Sequence, residues 1–375
     1  MLRPTIKSSH RISSQDPSAV SHPIETADRP SLAELPSAVP AALPAVLSAV
    51  LSAAARPLPA RPDATGAFPL ALRRTIAETD LTVHPLALGT SVFGWTTDGT
   101  TSHRILDRHR DLAGNFLDTA DSYTSGRSEV IIGSWLRSRR TRDSTVIATK
   151  IGKNLDNPGL SSRSIIGAVH ASLDRLGTDY IDLLHFHFDD PTVPLEESLG
   201  AVDVLMRRGQ VRYLAASNFS AERLMEARVL AANGLPRFVA LQTQYSLLHR
   251  SPFESSLLLV TRAQEMAVLP YFALAHGFLA GRYRSKADVE KTTRSSRGAK
   301  HQNRTGFRVL AVLDRIAEEH GAAPASIAIA WLLARSPVVA PVASASHFDQ
   351  VDALVGAAGI RLTRSDMVDL DRVSA

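Results

Sequence analysis

Residues 180–217 have the sequence YIDLLHFHFDDPTVPLEESLGAVDVLMRRGQVRYLAAS, which gives the clearest indication of fold class. Two short apolar runs, residues 180–187 (YIDLLHFH) and 211–217 (VRYLAAS), stand on either side of the helical pattern of residues 195–208. Continuous runs of strand-forming residues separated by a helix are typical of parallel strands that are buried on both faces. The segment therefore predicts a strand–helix–strand unit of an α/β protein.

The same alternation continues in both directions along the chain. A β-hairpin is predicted at residues 73–83, and further helical patterns lie at residues 128–139, 164–176 and 221–232. Eight strand units in about three hundred residues fit a closed (β/α)8 TIM barrel better than an open doubly wound sheet. The six other predicted strands are residues 85–89 (PLALG), 115–120 (NFLDTA), 145–150 (TVIATK), 238–244 (FVALQTQ), 268–274 (VLPYFAL) and 338–344 (VVAPVAS).

Residues 1–70 differ in composition from the rest of the chain. They hold 11 of the 21 prolines and a single aromatic residue, Phe68. Such a segment cannot bury enough apolar surface to offset the entropy of ordering its backbone, so we predict a disordered N-terminal extension before a barrel domain over residues 71–375. Its apolar part, residues 41–55, is too short to span a bilayer. The sequence leaves open a removed targeting segment, a misassigned start site and a plain flexible extension.

The composition excludes several classes of function. The chain has no cysteine, which rules out disulfides, a thiolate nucleophile and cysteine-bound metal clusters, and which fits a cytoplasmic protein. Its 42 basic and 37 acidic residues give a net charge of +5 that is spread along the chain, so we expect no nucleic-acid partner. We also expect no membrane partner, and the sequence does not decide between a monomer and a homo-oligomer.

Polar side chains stand near the carboxyl ends of six predicted strands. In a (β/α)8 barrel these ends meet at one rim, where the active site lies. Each residue alone has an ordinary explanation: Lys150 as a solvated strand end, His187 as a hydrogen-bonded core histidine, and Asp118 as a helix cap. Several polar ends at one rim favour a functional site, which would contain Asp118, Lys150, His187, Ser217, Asn218, Gln242 and Tyr271.

Two other kinds of site fit the sequence less well. No Gly-x-Gly-x-x-Gly follows a predicted strand, which argues against a Rossmann dinucleotide site. His185 and His187 would share one face of their strand, and Asp189 would join them if the strand continued that far. Asp189 is instead expected in the loop beyond, and Asp182 would point to the other face. No third metal ligand is clear, so we expect no metal.

The rim segments resemble, in order, the signature segments of the aldo-keto reductase family, in particular its bacterial branch of NADP-dependent oxidoreductases. The resemblance runs from about Arg73 to the C-terminus. It implies a (β/α)8 barrel, NADP(H) as cofactor and a small-molecule carbonyl compound as substrate. The segments are residues 116–129 (FLDTADSYTSGRSE), 147–152 (IATKIG), 179–187 (DYIDLLHFH), 216–220 (ASNFS), 241–248 (LQTQYSLL) and 270–283 (PYFALAHGFLAGRY).

The resemblance assigns a catalytic tetrad to Asp118, Tyr123, Lys150 and His187. Tyr123 would be the proton donor, because a carbonyl oxygen gains negative charge when hydride reaches its carbon. Lys150 would lower the pKa of Tyr123, and Asp118 would hold Lys150 in an ion pair. His187 would donate a hydrogen bond that orients the carbonyl oxygen.

The resemblance also assigns the residues around the cofactor. Ser217, Asn218 and Gln242 would hydrogen-bond the carboxamide of the nicotinamide, and Tyr271 would stack beneath its ring. Trp95 would line the substrate pocket. The remaining cofactor-binding positions are Leu274, Arg282, Ser344, Ser346 and Gln350.

The sequence departs from the family pattern mainly at phosphate-binding positions. Ser346 replaces the Arg that usually grips the 2′-phosphate, and Phe272 stands where a Ser usually follows the ring-stacking Tyr. Thr124 replaces the Gly that often follows the catalytic Tyr. The basic segment, residues 282–308, would still attract a phosphate-rich ligand. We therefore expect NADPH to be preferred over NADH, but by a smaller margin than in relatives that keep the Arg.

These residues predict an enzyme that reduces aldehydes or ketones to alcohols with NADPH. The alternative is a catalytically weak, cofactor-sensing regulatory subunit that resembles the β subunits of ion channels, since an intact tetrad fits both. Residues 1–70 lack the apolar faces expected of a docking domain, which favours the enzyme. The sequence does not identify the physiological substrate.

Overall fold

The computed structural model describes residues 73–285, 287–288 and 295–375. The predicted disordered extension, residues 1–70, lies outside the described residues, as do Lys286, Lys291 and Arg294 of the basic segment. The strands of the described chain are β1 (Arg74–Thr75), β2 (Thr82–Val83), β3 (Ala87–Gly89), β4 (Phe116–Asp118), β5 (Val146–Ile151), β6 (Ile181–Phe186), β7 (Val211–Ser217), β8 (Phe238–Gln244), β9 (Ala267–Tyr271) and β10 (Val342–Ala343).

The helices alternate with the strands, and their ends carry recognisable capping residues. At the start of the helix over Ser162–Leu176, the Ser161 side chain accepts a hydrogen bond from Ser164 N, and Gly177, with φ +63°, caps the end of the helix. None of the described helices is long and apolar enough to cross a membrane. The α-helices are α1 (Gly99–Asp111), α2 (Arg127–Arg139), α3 (Ser162–Leu176), α4 (Leu195–Arg207), α5 (Ala221–Ala232), α6 (Leu258–Ala263), α7 (Ser295–Ala299), α8 (Arg304–Glu319), α9 (Pro324–Leu333), α10 (Asp349–Gly356) and α11 (Arg364–Ser374).

Strands β3 to β10 form one parallel sheet in the order β10-β3-β4-β5-β6-β7-β8-β9. The chain before β10 closes this sheet into a barrel. On one side Val268 N on β9 donates to Pro337 O at 3.1 Å, and Val339 N donates back to Val268 O at 2.9 Å. On the other side Ala87 N donates to Pro341 O at 3.0 Å. The predicted (β/α)8 TIM barrel is confirmed.

The barrel interior contains an apolar layer and, above it, a polar layer. Side chains two residues apart on a strand share a face, so the second layer lies nearer the carboxyl ends of the same strands. The apolar layer consists of Phe116, Ala148, Leu183, Ala215, Ala240, Leu269 and Val342. Two residues further along those strands, the polar layer consists of Asp118, Lys150, His185, Ser217, Gln242, Tyr271 and Ser344.

The predicted hairpin closes the amino-terminal end of the barrel. β1 and β2 pair antiparallel, with Arg74 opposite Val83, and Ile76 N donates to Leu81 O at 3.0 Å. Ile76 and Leu81 are buried in the same cluster as the apolar layer. Water is therefore excluded from that end, and the polar layer faces the opposite rim.

The two largest differences between predicted and observed strands lie near the C-terminal end of the barrel sequence, in β9 and β10. The strand predicted over residues 268–274 ends at Tyr271, because Phe272 has a φ of +50° that an extended strand cannot contain. The strand predicted over residues 338–344 is reduced to Val342–Ala343. Val339 bonds to the other neighbouring strand, and Pro341 has no N–H to donate to a ladder.

Candidate active site

Lys150 and Asp118 form an ion pair inside the polar layer. The Lys150 Nζ atom lies 2.8 Å from each Asp118 carboxylate oxygen and 2.7 Å from Thr119 O. The two side chains are 1% and 2% exposed. Burial acts to lower the pKa of Lys150, but the negative charge of Asp118 and the interaction with Tyr123 outweigh it, and the pKa is raised. Lys150 is therefore a fixed ammonium group within the barrel.

Tyr123 lies beside this ammonium, on the turn that follows β4. The Lys150 Nζ atom is 5.1 Å from the centroid of the Tyr123 ring, and a side-chain hydrogen bond joins the two residues. Asp121 N donates to Lys150 O at 2.9 Å, and Asn154 Nδ2 donates to Asp121 O at 2.8 Å. These backbone contacts fix the turn, and with it Tyr123, against the end of β5.

Left-handed backbone carries the chain from Tyr123 into α2. Thr124 and Ser125 both have φ +52°, and Gly126 has φ +84°. A β-branched residue rarely adopts such a φ, so Thr124 at the usual glycine position is strained. Its hydroxyl donates to Phe93 O at 3.2 Å. That bond ties the Tyr123 turn to the loop that carries Trp95, whose side chain is 53% exposed.

His187 lies on the other side of Tyr123. The ring centroids are 6.2 Å apart and the planes make an angle of 80°. Burial, followed by the charges of Lys150 and Lys153, lowers the pKa of His187 from 6.5 to about 3. The imidazole is therefore neutral at physiological pH, with one N–H to donate and one nitrogen to accept.

A hydrogen-bond network joins the ends of β6, β7, β8 and β9. Asn218, which has φ +58°, uses its Nδ2 atom to donate to His187 O at 2.9 Å and to Ser217 Oγ at 3.0 Å. The Tyr271 hydroxyl donates to Asn218 Oδ1 at 2.7 Å. Gln242 Nε2 donates to Asp118 Oδ1 at 2.7 Å. The structure thus brings the tetrad and the predicted nicotinamide-binding residues together, and it fixes the orientation of both side-chain amides.

The predicted residues after β10 form a separate group. Ser346 donates to Gln350 Oε1 from its backbone N at 2.9 Å and from its Oγ at 3.3 Å. Ser344 Oγ lies 2.8 Å from the position that a Cβ on Gly89 would occupy, so a side chain at Gly89 would displace the Ser344 hydroxyl. Ser346 and Gln350 are thus engaged with each other, and this group contains no guanidinium.

Leu274 and Arg282 lie in the segment after β9. Leu274 O accepts from Gly277 N at 2.8 Å and holds a turn in which His276 and Gly277 have φ +58° and +93°. Arg282 is exposed, and its Cδ atom is 3.2 Å from where a Cβ on Gly277 would lie. Arg284, by contrast, forms a bidentate pair with Asp314 at 2.6 and 2.7 Å.

Two buried titratable groups beside the tetrad are absent from the predicted reductase site, and one of them, His185, was considered only as a metal ligand. His185 is wholly buried next to Lys150 on β5, and burial, then the charge of Lys150, lowers its pKa well below the usual value. Asp121 is 1% exposed, and burial, then the charge of Glu129, raises its pKa to about 7. The spacing of two residues from His187 placed His185 inside the barrel, but no sequence signal marked Asp121 as buried.

The two aspartates considered beside His185 and His187 as metal ligands pair with arginines. Asp189 pairs with Arg223 at 3.0 Å, and Asp182 bonds to Arg142 and Arg212 away from the histidines. Within residues 73–285, 287–288 and 295–375, no group of three or more His, Cys, Asp or Glu side chains could hold a metal ion.

Comparison with known proteins agrees with this geometry. The model of the aldo/keto reductase family matches residues 85–375. Norsolorinic acid reductase stcV of Emericella nidulans is 32% identical over 77% of this chain and 78% of its own. Protein tas of Escherichia coli is 29% identical over 80% of this chain and 96% of its own. The putative aryl-alcohol dehydrogenase AAD14 of Saccharomyces cerevisiae is 29% identical over 85% of this chain and 89% of its own. With a barrel, a buried Lys–Asp pair beside a tyrosine and a family match over most of its length, the chain belongs to the aldo/keto reductase family.

Proposed function

We propose that the protein reduces aldehydes and ketones to alcohols with NADPH, and that Tyr123 donates the proton. The observation that carries this proposal is the position of the buried Lys150 ammonium. It is held by both Asp118 oxygens and is hydrogen-bonded to Tyr123. A neighbouring cation favours the ionised phenol, so it eases the release of the Tyr123 proton.

Each tetrad residue then has one task in the reaction. The neutral His187 donates a hydrogen bond to the carbonyl oxygen of the substrate and holds it near the Tyr123 hydroxyl. As negative charge builds on that oxygen, Tyr123 transfers its proton to it, and Lys150 stabilises the phenolate left behind. Asp118 keeps Lys150 charged and in place, and Gln242 fixes the carboxylate of Asp118.

The residues at the rim fit a nicotinamide cofactor, which supplies the hydride when bound. Because the Gln242 amide donates to Asp118 through nitrogen, its oxygen remains as an acceptor for a carboxamide N–H. Ser217 and Asn218 would complete the carboxamide site, and the Tyr271 ring would stack under the nicotinamide. Leu274, Arg282, Ser344, Ser346 and Gln350 would line the phosphate end.

We propose NADPH rather than NADH as the preferred cofactor. The 2′-phosphate is the difference between them, and Arg282 is an exposed cation on the segment that would face it. Ser346 offers a neutral hydroxyl that is already engaged with Gln350, so the margin of preference would be small.

The name of one relative, a putative aryl-alcohol dehydrogenase, supports an aromatic carbonyl compound as substrate. We place the reaction in the cytoplasm, which suits a chain without cysteine.

The test is turnover of para-nitrobenzaldehyde by the full chain with NADPH, followed as loss of NADPH absorbance with the alcohol identified by mass spectrometry. We expect stoichiometric alcohol and oxidised cofactor. Tight NADPH binding without turnover of any aldehyde would instead support the cofactor-sensing subunit. Absence of nicotinamide binding would contradict both functions.

A further inference from the structure

A line of contacts leads from the reacting hydroxyl to a charged residue at the rim. The His187 ring, which lies edge-on to Tyr123, stacks on the Phe188 ring with centroids 5.2 Å apart and an angle of 12° between the planes. The Lys153 Nζ atom lies over the other aromatic ring of this stack, 5.0 Å from the Phe188 centroid. The rings of His187 and Phe188 therefore lie between Tyr123 and Lys153, and Lys153 is on the open side of the barrel.

Lys153 has no carboxylate partner among the described residues. Its ammonium is exposed, and its contact with Phe188 is a cation–π contact rather than an ion pair. The two carboxylates of the loop after β6 are engaged elsewhere. Asp189 pairs with Arg223 at 3.0 Å, and Asp190 accepts from Thr192 Oγ1 at 2.6 Å and from Leu160 N at 3.0 Å. A positive charge is thus left available at the mouth of the site.

Two aromatic side chains near the tetrad are exposed. Phe188 is 46% exposed, and Trp95, on the loop tied to the Tyr123 turn, is 53% exposed. A flat apolar ligand that covers exposed aromatic faces at the mouth of a site removes apolar surface from water, which favours binding. The backbone also sets the position of Lys153, because it follows Gly152, which has φ +96°.

We propose that Lys153 is a specificity-determining residue that selects carbonyl substrates in which an aromatic frame carries an anionic group, such as a carboxylate. The aromatic frame lies against Phe188, the anion pairs with the Lys153 ammonium, and the carbonyl oxygen reaches His187 and Tyr123. This inference rests on the proposed reductase function and adds the charge of the substrate to it.

The experiment compares two substrates that differ in charge, para-carboxybenzaldehyde and its methyl ester, in the wild type and in Lys153→Met. We expect kcat/KM for the carboxylate to fall about five-fold in Lys153→Met, the size of a weakly screened ion pair, with the methyl ester nearly unchanged. Lys153→Arg should keep the preference. Arg208→Met is the matched control, because it removes an exposed cation at the end of α4, at the opposite end of the barrel.

Charge reversal sharpens the test. Lys153→Glu should lower kcat/KM for the carboxylate further and raise it for the cationic para-trimethylammoniobenzaldehyde. The dissociation constant of NADPH, measured by fluorescence quenching, should stay the same, since the contact is with substrate. Equal losses for carboxylate and ester, or no loss for either, would overturn the role of Lys153 while leaving the reductase intact. Absence of turnover with every aldehyde, including in the wild type, would instead refute the proposed function.

Discussion

The two ends of the proposed cofactor site are built differently. At the nicotinamide end, Asp118 accepts hydrogen bonds from Lys150 on the neighbouring strand β5 and from Gln242 on β8, across the barrel. At the phosphate end, Ser346 and Gln350 bond within one short segment, and Arg282 is exposed. The first end is buried and held by charge, whereas the second lies on surface loops.

This difference indicates which substitutions each end can tolerate. A buried ion pair with further hydrogen bonds cannot lose one member without leaving an uncompensated charge. A neutral, half-buried serine whose bonds stay within its own segment can change with little cost to the fold. The buried Lys150–Asp118 pair therefore keeps the family pattern, and the departures from it, at Thr124, Phe272 and Ser346, fall outside that pair.

The largest effect is expected from breaking the buried pair. Lys150→Met leaves the Asp118 carboxylate without its cation, so the free energy of unfolding should fall by about 3–5 kcal/mol. Urea denaturation measures this. The double variant Asp118→Leu/Lys150→Met should recover most of the stability but no activity. Ser346→Ala, at the other end, is the control and should stay within about 0.5 kcal/mol of wild type. Unchanged stability of Lys150→Met would contradict the pair as described.

The second largest effect is expected from removal of the proton donor. Tyr123→Phe keeps the ring against His187 but deletes the hydroxyl, so kcat for aldehyde reduction should fall about 100-fold or more. NADPH binding, followed by fluorescence, should survive, because no cofactor contact is assigned to Tyr123. Aldehyde reduction at the wild-type rate would show that another group supplies the proton.

At the phosphate end, we expect an added positive charge to strengthen cofactor binding. Ser346→Arg introduces a bidentate guanidinium where a single neutral hydroxyl stands, and charged bonds are about twice as strong as neutral ones. We expect the dissociation constant of NADPH to fall about ten-fold and that of NADH to stay nearly constant. Titrations at fixed salt decide this, and tighter NADH than NADPH binding in the wild type would refute the proposed preference.

A second pair of variants distinguishes direct binding of the cofactor by Arg282 from a general effect of positive charge. Arg282→Ala should weaken NADPH binding a few-fold, since this exposed guanidinium has space for a ligand. Arg284→Ala removes the same charge from a residue already paired with Asp314, and it should have a smaller effect. If Ser346→Arg gains nothing and Arg282→Ala loses much, Arg282 already holds the 2′-phosphate.

The smallest effect concerns pH. The pKa of His187 is lowered to about 3, so the folded protein keeps this imidazole neutral and gains its proton only as the pH falls through that value. The ring nitrogen shifts of His187 should therefore show a neutral imidazole between about pH 5 and pH 8. His187→Asn identifies the signal. An imidazolium at about pH 6 would rule out the neutral donor assigned here.

The sequence predicted the barrel well because each buried strand is a continuous apolar run. Residues 211–217 and 238–244 match β7 and β8 at both ends. The prediction failed beyond Tyr271, where composition stays apolar but the left-handed φ of Phe272 ends β9. The hydrophobicity of a segment does not determine its backbone dihedrals at a turn, so strand ends were the least predictable feature.

The site was predictable as a set of residues but not as a set of bonds. The tetrad positions follow from the resemblance to the aldo-keto reductase signature segments, and the structure places Lys150 against Asp118 and Tyr123. The bond from Gln242 to Asp118 joins residues 124 positions apart in the chain, on strands that are not neighbours in the sheet. Only closure of the barrel brings them together. The stack of His187, Phe188 and Lys153 was unpredictable for the same reason, since it depends on side-chain packing between two loops.

The most direct measurement for the central claim follows the hydride itself. The wild-type protein is mixed with para-nitrobenzaldehyde and NADPH that carries deuterium at both C4 positions, and the alcohol is analysed by NMR. We expect one deuterium on the carbinol carbon of each alcohol molecule formed, and we expect Tyr123→Phe to form almost no alcohol. Alcohol without deuterium, or no alcohol despite bound NADPH, would contradict the assignment of this chain as a carbonyl reductase.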